Sequence, residues 1–220
     1  MLTAKTDLYQ VFQRTDVCHD LERTSPLCLS PKSKQQVMKK ILLFSLTVVF
    51  SITLSAQKYV VSPTSEVSVV GTSSLHDWES KVEDVKGSAT FTIEDGVVTA
   101  IPEMDITIKA ESIESGKSKM NSLTYEALKT DNFPNILFTL SEVKEITGNK
   151  VIVSGDLMIA GVKRKVSVQG IMDSEGKMIT ITGAKKIDMT EFDIEPPTAM
   201  FGAITVGKDV NILFTLKMTN

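Results

Sequence analysis

The residues of this sequence that could carry chemistry are few, and they surround one histidine. The chain has 2 histidines, and His76 stands in the run Ser-Ser-Leu-His-Asp-Trp at residues 73–78. A Ser-His-Asp set needs three side chains to converge, whereas neighbouring residues of an extended strand point to opposite faces. No G-x-S-x-G elbow surrounds Ser73 or Ser74. The run therefore gives little support to a hydrolase, although His76 with Asp77 or a loop carboxylate stays an enzymatic alternative.

Groups that could bind a metal or a nucleotide are also scarce. Cys18 and Cys28 are the 2 cysteines of the chain, and a structural zinc site needs several Cys or His ligands close together. Neither a G-x-G-x-x-G nor a P-loop pattern occurs. The carboxylates at residues 83–84 and at Asp193 and Glu195 are typical of solvated faces and loops. We therefore expect no metal, no cofactor and no enzyme activity.

Residues 38–56 have the composition of a secretory signal peptide. Met38 is followed by two lysines, the 14 residues 41–54 carry no charge, and Ser55 and Ala56 are small. Signal peptidase recognises this order, and the apolar run is shorter than the about 20 residues of a membrane-spanning helix. An uncleaved anchor is the alternative. We predict export to the periplasm or the exterior, a polar, disordered extension at 1–37 upstream of the true start, and a folded domain at 57–220.

Removal of residues 1–56 changes the charge of the chain. Residues 57–220 keep 17 of the 24 basic and 23 of the 27 acidic residues, which gives a formal net charge of −6. An acidic domain is a poor candidate for binding nucleic acid or an anionic membrane surface. The basic run at 163–165 lies between two strand-like segments, so we predict a hairpin turn there and no anion site.

Apolar residues alternate with polar ones along most of residues 57–220. This period of two is typical of strands with one apolar and one polar face. The runs are 89/91/93, 104/106/108, 136/138/140, 151/153, 157/159, 166/168, 179/181 and 210/212/214/216/218. Glycine-containing turns separate them at 94–96, 147–149, 160–161 and 174–176. About eight strands joined by short turns predict a mostly antiparallel barrel or sandwich, and closure into a barrel would remove exposed edges.

One segment departs from the strand pattern. Residues 118–131 place Met120, Leu123, Ala127 and Leu128 at helical spacing, which predicts a short helix over about residues 119–130. Asn121 or Ser122 is the expected N-cap, and the helix should end before Phe133 and Pro134, because proline restricts the preceding residue to extended geometry. Such a helix could plug one end of a barrel or cover the mouth of a cavity.

Four segments, read in order, resemble the YceI-like family. They are residues 71–79 (GTSSLHDWE), 106–115 (ITIKAESIES), 127–138 (ALKTDNFPNILF) and 155–164 (GDLMIAGVKR). The resemblance covers most of residues 58–219. Many relatives carry a His-Leu pair in the short helix, whereas this chain has Lys-Met-Asn-Ser-Leu at 119–123, so contacts made by that histidine cannot be transferred.

The resemblance implies an all-β protein, an eight-stranded antiparallel β-barrel of lipocalin-like shape, in the periplasm or outside the cell. Family members hold a long apolar molecule without a covalent bond, such as a polyisoprenoid, a quinone, or a fatty amide or acid. A barrel of eight strands either fills its interior with side chains or leaves room for one ligand. The apolar lipid is the expected partner, nucleic acid is not, and a transient membrane contact and a homodimer stay open.

Twelve residues are candidates to line the cavity of such a barrel. They are His76, Trp78, Phe91, Ile106, Ile108, Phe138, Leu140, Ile159, Met200, Phe201, Phe214 and Leu216. The strand pattern alone does not separate a lined cavity from a filled core, and a solid barrel that acts through its surface is the alternative function. His76 and Trp78 share one parity and could lie at the rim or cap one end, and the loop at 195–202 could form part of the mouth or pack on the surface.

Overall fold

The computed structural model describes residues 56–220, which form twelve strands, one α-helix and two 3-10 helices. The strands are β1 (Ala56–Val61), β2 (Glu66–Ser73), β3 (Trp78–Val82), β4 (Val85–Glu94), β5 (Val97–Lys109), β6 (Ile113–Glu114), β7 (Asn135–Thr147), β8 (Lys150–Ile159), β9 (Val162–Glu175), β10 (Met178–Asp188), β11 (Thr198–Ala199) and β12 (Ile204–Thr219). The helix is α1 (Ser118–Leu128), and the 3-10 helices are Ala110–Ser112 and Met189–Phe192.

Eight of the strands close into a ring. Their order is β1-β4-β5-β7-β8-β9-β10-β12, and β12 pairs back with β1 through Val60↔Thr219 and Val61↔Met218. Each pairing in this ring is antiparallel. The expected eight-stranded antiparallel barrel is thus confirmed, and the sandwich is excluded because a sandwich has no such closure. Strands β2, β3 and β6 extend the sheet beside residues 206–215 of β12.

The two ends of the barrel differ. One end, here called the hairpin end, carries the turns β4–β5, β7–β8 and β9–β10, in which Gly96, Gly148 and Gly176 have φ of 80°, 58° and 59°. These values favour glycine, which explains the sequence signals. The opposite end, here called the helix end, carries α1, the β2–β3 loop and the β11–β12 hairpin.

A packed apolar core includes residues near the hairpin end. Phe91 and Met218 are fully buried, and Tyr59 and Ile179 nearly so. The rings of Tyr59 and Phe91 meet edge to face with centroids 5.3 Å apart, a favoured aromatic geometry. This core lies where β1 joins β4 and β12, so side chains fill the interior of the barrel at the point where the ring of strands closes.

Helix α1 begins earlier than predicted. Its N-cap is Lys117, which makes no capping hydrogen bond with its side chain, so the expected N-cap at Asn121 or Ser122 was wrong. The Asn121 side chain instead accepts hydrogen bonds from the backbone N (2.9 Å) and Oγ (2.7 Å) of Ser115. This residue therefore holds the loop before the helix. The helix ends at Leu128, before Phe133 and Pro134, as expected.

The basic run at 163–165 also lies elsewhere than predicted. The turn is formed by Ala160 and Gly161, with φ of 48° and 80°, and residues 163–165 belong to β9. Arg164 donates from Nε to the carbonyl O of Glu191 at 2.7 Å, which ties β9 to the second 3-10 helix.

The signal peptide predicted at 38–56 and the extension predicted at 1–37 fall outside the described residues, except for Ala56. Among the described residues, no helix has both the length and the apolar character that crossing a bilayer requires.

Candidate functional site

The interior of the barrel contains two apolar chambers. The inner chamber has a volume of about 130 Å³ and the outer chamber about 380 Å³. Because about 10–15 Å³ of such space holds one water molecule, both are far larger than a packing defect. The described barrel therefore encloses cavities and is not filled with side chains throughout.

The chambers lie one above the other along the barrel. On β8, Val151, Val153 and Leu157 line the inner chamber, whereas Ile159 lines the outer one. The same change occurs on β10 between Ile181 and Ile187, and Ile136 and Ile212 line both chambers. The strands thus lead from the inner chamber towards the helix end.

Two aromatic rings of the inner chamber lie against glycines. A Cβ atom at Gly155 would stand 2.5 Å from the ring of Phe138, and one at Gly183 would stand 2.6 Å from the ring of Phe214. Glycine leaves room for a ring to lie on the backbone of the neighbouring strand. The rings therefore occupy the wall, which leaves space in the middle of the barrel.

Helix α1 forms one wall of the outer chamber. Met120, Leu123, Thr124, Ala127 and Leu128 line it, at the spacing of one helical face. No residue of α1 is buried, although an amphipathic helix normally buries its apolar face in the core. Here that face borders a cavity, which leaves it available to a ligand.

The helix is fixed to the barrel by hydrogen bonds outside the chamber. The hydroxyl of Tyr125 donates to the carbonyl O of Glu111 at 2.8 Å. Burial, together with the nearby Glu114 and Glu111 carboxylates, raises the pKa of Tyr125, so the hydroxyl stays protonated and able to donate at neutral pH. The helix is thus anchored at its outer face, while its inner face is half-buried, with Ala127 and Leu128 packed against the apolar core.

His76 and Trp78 both line the outer chamber at the β2–β3 loop. The indole of Trp78 lies over Gly71, where a Cβ atom would stand 2.4 Å from the ring, and its Nε1 donates to the carbonyl O of Thr72 at 3.1 Å. Both residues line one chamber, although residues 74–77 form a loop and not the extended segment on which their shared parity was argued. The chain has a single tryptophan, Trp78, so tryptophan fluorescence reports on this chamber alone.

The polar contacts of the β2–β3 loop do not form a catalytic couple. The Oγ of Ser73 donates to the carbonyl O of His76 at 2.7 Å, and the Nδ1 of His76 lies 2.6 Å from the carbonyl O of Asp77. A nucleophile would need a hydrogen bond to the imidazole itself. These bonds shape the loop and leave the ring without a serine or carboxylate partner among the described residues.

Each chamber has its own polar groups. Lys117, Lys119 and His76 are the ionisable residues that line the outer chamber, and no carboxylate of the described chain does so. In the inner chamber the polar residues are Gln169 and Lys185, which stand where the pairing of β9 with β10 stops, at Ala184↔Gln169. Apart from these two, the lining of the inner chamber is apolar, which suits a hydrocarbon.

Residues 59–218 match the YceI-like domain family. The chain belongs to the YceI-like family. The curated UPF0312 protein plu2095 of Photorhabdus laumondii is 31% identical over 97 residues, which are 43% of this chain and 48% of that protein. The match thus spans about half the length of this relative.

Solved structures share the YceI-like fold at low identity. BcnA of Burkholderia cenocepacia has a TM-score of 0.61 at 22% identity over 70% of this chain and 95% of its own. A polyisoprenoid binding domain from Saccharophagus degradans has 0.59 at 14% over 75% and 99%. The YceI protein of Campylobacter jejuni has 0.55 at 19% over 64% and 84%. At these identities the likeness establishes the fold alone.

The structure distributes the twelve candidate residues of the YceI-like domain unevenly. The inner chamber is lined by Ile106, Ile108, Phe138, Phe214 and Leu216, and the outer chamber by His76, Trp78 and Ile159. Four candidates lie outside both linings. Phe91 is in the packed core, Leu140 packs beside that core, and Met200 and Phe201 are exposed on the β11–β12 hairpin. Ligand contact by the eight lining residues remains a prediction.

Other lining residues were missed as candidates. Met120 and Leu123 were recognised as helical but not as cavity residues. Val168 belongs to the alternating run 166/168, and Ile212 has the parity of the candidates Phe214 and Leu216 on β12. Lys185 also has inward parity, between Gly183 and Ile187 on β10, and only the structure identifies it. Parity could have found the valine and the isoleucine, whereas a lysine on an inward row gives no such signal.

Asp188 holds the turn that forms one side of the outer chamber. Its Oδ1 accepts from the backbone N of Thr190 at 3.0 Å and from the Thr190 Oγ1 at 2.6 Å, and its Oδ2 lies 2.6 Å from the Nζ of Lys208. These bonds, the Lys208 bond first, lower the pKa of Asp188 to about 2. The neighbouring Met189 and Ile194 line the chamber.

A lowered carboxyl pKa means that Asp188 stabilises the fold at pH values above its ordinary pKa, and that this contribution is lost as the pH falls through about 2. We expect Asp188→Asn to lower Tm at pH 5, and the difference from the wild type to shrink towards zero by pH 2. Thermal unfolding at several pH values measures this. Asp173→Asn, at an exposed site without an ion pair in the described chain, is the control. A difference that is constant with pH would contradict the prediction.

Proposed function

We propose that the protein is an exported binding protein that holds a long apolar ligand non-covalently inside its barrel. The observation that carries the proposal is the pair of stacked apolar chambers, one of them walled by a helix whose apolar face is only half-buried. Apolar space of this kind is typical of small-molecule sites. An enzyme would need a nucleophile and a base joined by a hydrogen bond. Among the described residues, Ser73 and His76 of the outer chamber bond to backbone carbonyls instead, so binding is the function that the site supports best.

The two chambers favour a particular orientation of the ligand. A polar head placed in the inner chamber would lose its hydrogen bonds to water and would find only Gln169 and Lys185 in an otherwise apolar lining, which is costly. The outer chamber offers Lys117, Lys119, His76 and Thr124. We therefore place the apolar tail in the inner chamber and the head near the helix end, where these groups and water can solvate it.

Polyisoprenoids, quinones, and fatty amides or acids all fit this description. Each carries a long hydrocarbon, and each gains roughly 25 cal/mol for every Å² of apolar surface removed from water. The polyisoprenoid binding domain from Saccharophagus degradans has the same fold, which supports the first class. No cofactor is needed for such binding, and carriage or storage of lipid in the periplasm is the role we propose.

Extraction of the bound lipid tests the proposal. Protein recovered from an exporting host is expected to release, into organic solvent, a long-chain lipid that mass spectrometry detects in near-stoichiometric amount. Emptied protein is then titrated with a polyisoprenoid alcohol, a quinone or a fatty acid, and Trp78 fluorescence is expected to change and to saturate. A protein that yields no lipid and whose fluorescence responds to none of these probes would contradict the proposal.

A further inference from the structure

We propose that the helix end docks on a phospholipid bilayer through two loop tips. The tips are Leu75 in the β2–β3 loop and Met200 with Phe201 in the β11–β12 hairpin, together called the apolar tips. The inference rests on the proposed function in one respect. The purpose of docking is to let a lipid pass between the bilayer and the barrel without crossing water. The surface itself is identified by observations that do not involve the ligand.

The apolar tips are the most exposed large hydrophobic residues of the described chain. Phe201, Met200 and Leu75 have relative exposures of 112%, 72% and 67%, whereas the others reach at most 55%. A single exposed hydrophobic residue is ordinary on a protein surface, but a group of them marks an interaction site. All three lie at the same end of the barrel.

Hydrogen bonds hold the two loops together beside the mouth. The backbone N of Ser74 donates to the carbonyl O of Thr205 at 2.9 Å, and the backbone N of Thr205 donates to the Oγ of Ser74 at 3.1 Å. Leu75 itself lines the outer chamber, as do Ala199 and Ile204 on either side of the hairpin tip. The tips therefore border the opening through which a ligand would pass.

The backbone of the hairpin tip is strained in a way that exposes its side chains. Met200 and Phe201 have φ of 54° and 56°, in the left-handed region that large residues rarely adopt and that glycine or asparagine usually fills in turns. Strain of this kind recurs at functional sites. Here two bulky apolar residues occupy these positions and are held out into solvent, which suits insertion into a lipid interface.

The charges around the mouth are compatible with phospholipid. Lys117 and Lys119 line the opening and no described carboxylate does so, so two ammonium groups can meet lipid phosphates while their stems follow the apolar surface. Residues 57–220 carry a formal net charge of −6, so long-range attraction to an anionic surface is not the driving force. Insertion of the apolar tips supplies it, and zwitterionic lipid is therefore included among the targets.

A fluorescent label at the hairpin tip tests the docking directly. Ala203→Cys at the tip and Val97→Cys at the hairpin end each receive an environment-sensitive fluorophore, in protein recovered from an exporting host with Cys18→Ser and Cys28→Ser wherever those residues are retained. Vesicles of phosphatidylethanolamine with a minor share of phosphatidylglycerol are added. We expect a blue shift of the label at position 203 and none at position 97, because only the helix end enters the interface.

A second measurement compares variants by co-sedimentation with the same vesicles. Met200→Ser with Phe201→Ser is expected to lower the bound fraction at least tenfold, while Val97→Ser, an apolar residue exposed at the opposite end, leaves it unchanged. Equal binding of both variants, or equal spectra of both labels, would overturn the proposal.

Loading from detergent separates docking from the proposed function. If the double variant still takes up a polyisoprenoid alcohol from micelles, as read by Trp78 fluorescence, but takes it up from vesicles at least tenfold more slowly, docking is supported. If the wild type loads equally fast from vesicles and micelles and its tip label does not shift, docking is overturned and lipid binding stands. If the wild type loads from neither source, the proposed function fails, and the label still decides docking.

Discussion

Val168→Phe is expected to abolish lipid binding while the barrel stays folded. Val168 lines the inner chamber and is half-buried. A phenyl ring there would take up part of the chamber's volume of about 130 Å³, which the hydrocarbon would otherwise fill. We expect the lipid recovered with the protein to fall at least about tenfold, which corresponds to a loss of at least about 1.4 kcal/mol in binding free energy. Mass spectrometry of the extract measures it.

The stability of this variant should change little. Overpacking a well-filled core costs about 1–3 kcal/mol, but here the added ring enters existing space, so we expect a loss of less than about 1 kcal/mol. Ile171→Phe is the matched control, since Ile171 lies on the same strand with its side chain exposed. It should alter neither lipid content nor stability. Undiminished lipid in Val168→Phe would mean that the ligand does not use the inner chamber.

Phe91→Ala is expected to destabilise the barrel and to leave lipid binding intact. Phe91 is fully buried and meets Tyr59 edge to face, and replacement of such a ring by alanine typically costs about 3–5 kcal/mol. That is a large share of the about 5–15 kcal/mol by which a domain is stable. We expect Tm to fall by roughly 10 °C, as measured by calorimetry or circular dichroism.

Below its lowered melting temperature, Phe91→Ala should keep its lipid, because Phe91 lines neither chamber. Phe201→Ala is the control for stability, since its side chain is fully exposed and contributes no core packing. A loss of lipid in folded Phe91→Ala would show that the core near the hairpin end and the chambers are coupled. A Tm unchanged by the mutation would contradict the packing described for this core.

The alternation of apolar residues predicted the strands and their inward faces, but not the depth of each residue in the barrel. Phe91 and Phe138 stand in similar alternating runs, yet the first is packed against Tyr59 and the second lies on Gly155 beside the inner chamber. A period of two fixes the face of a sheet. Whether that face meets other side chains or empty space depends on strands far apart in sequence.

The preferences of single residues also failed to predict two local features of the structure. Asn121 is a residue type favoured at N-caps, but its side chain binds Ser115 and the helix begins before it. Met200 and Phe201 adopt left-handed backbone angles that their residue types do not suggest. In the first case a contact within the preceding loop outweighs the capping preference. In the second, the hairpin is held to the β2–β3 loop through Ser74 and Thr205.

The pairing of β12 with β1 has a consequence for how the protein is made. Ile212, Phe214 and Leu216 of β12 line the inner chamber, and β12 is the last strand of the barrel to leave the ribosome or a translocation channel. Joining it to β1 closes a loop of most of the domain, which is a slow step in folding. Until β12 has been made the chamber lacks these three wall residues, so a ligand of the proposed kind would be enclosed only after synthesis of the domain is complete.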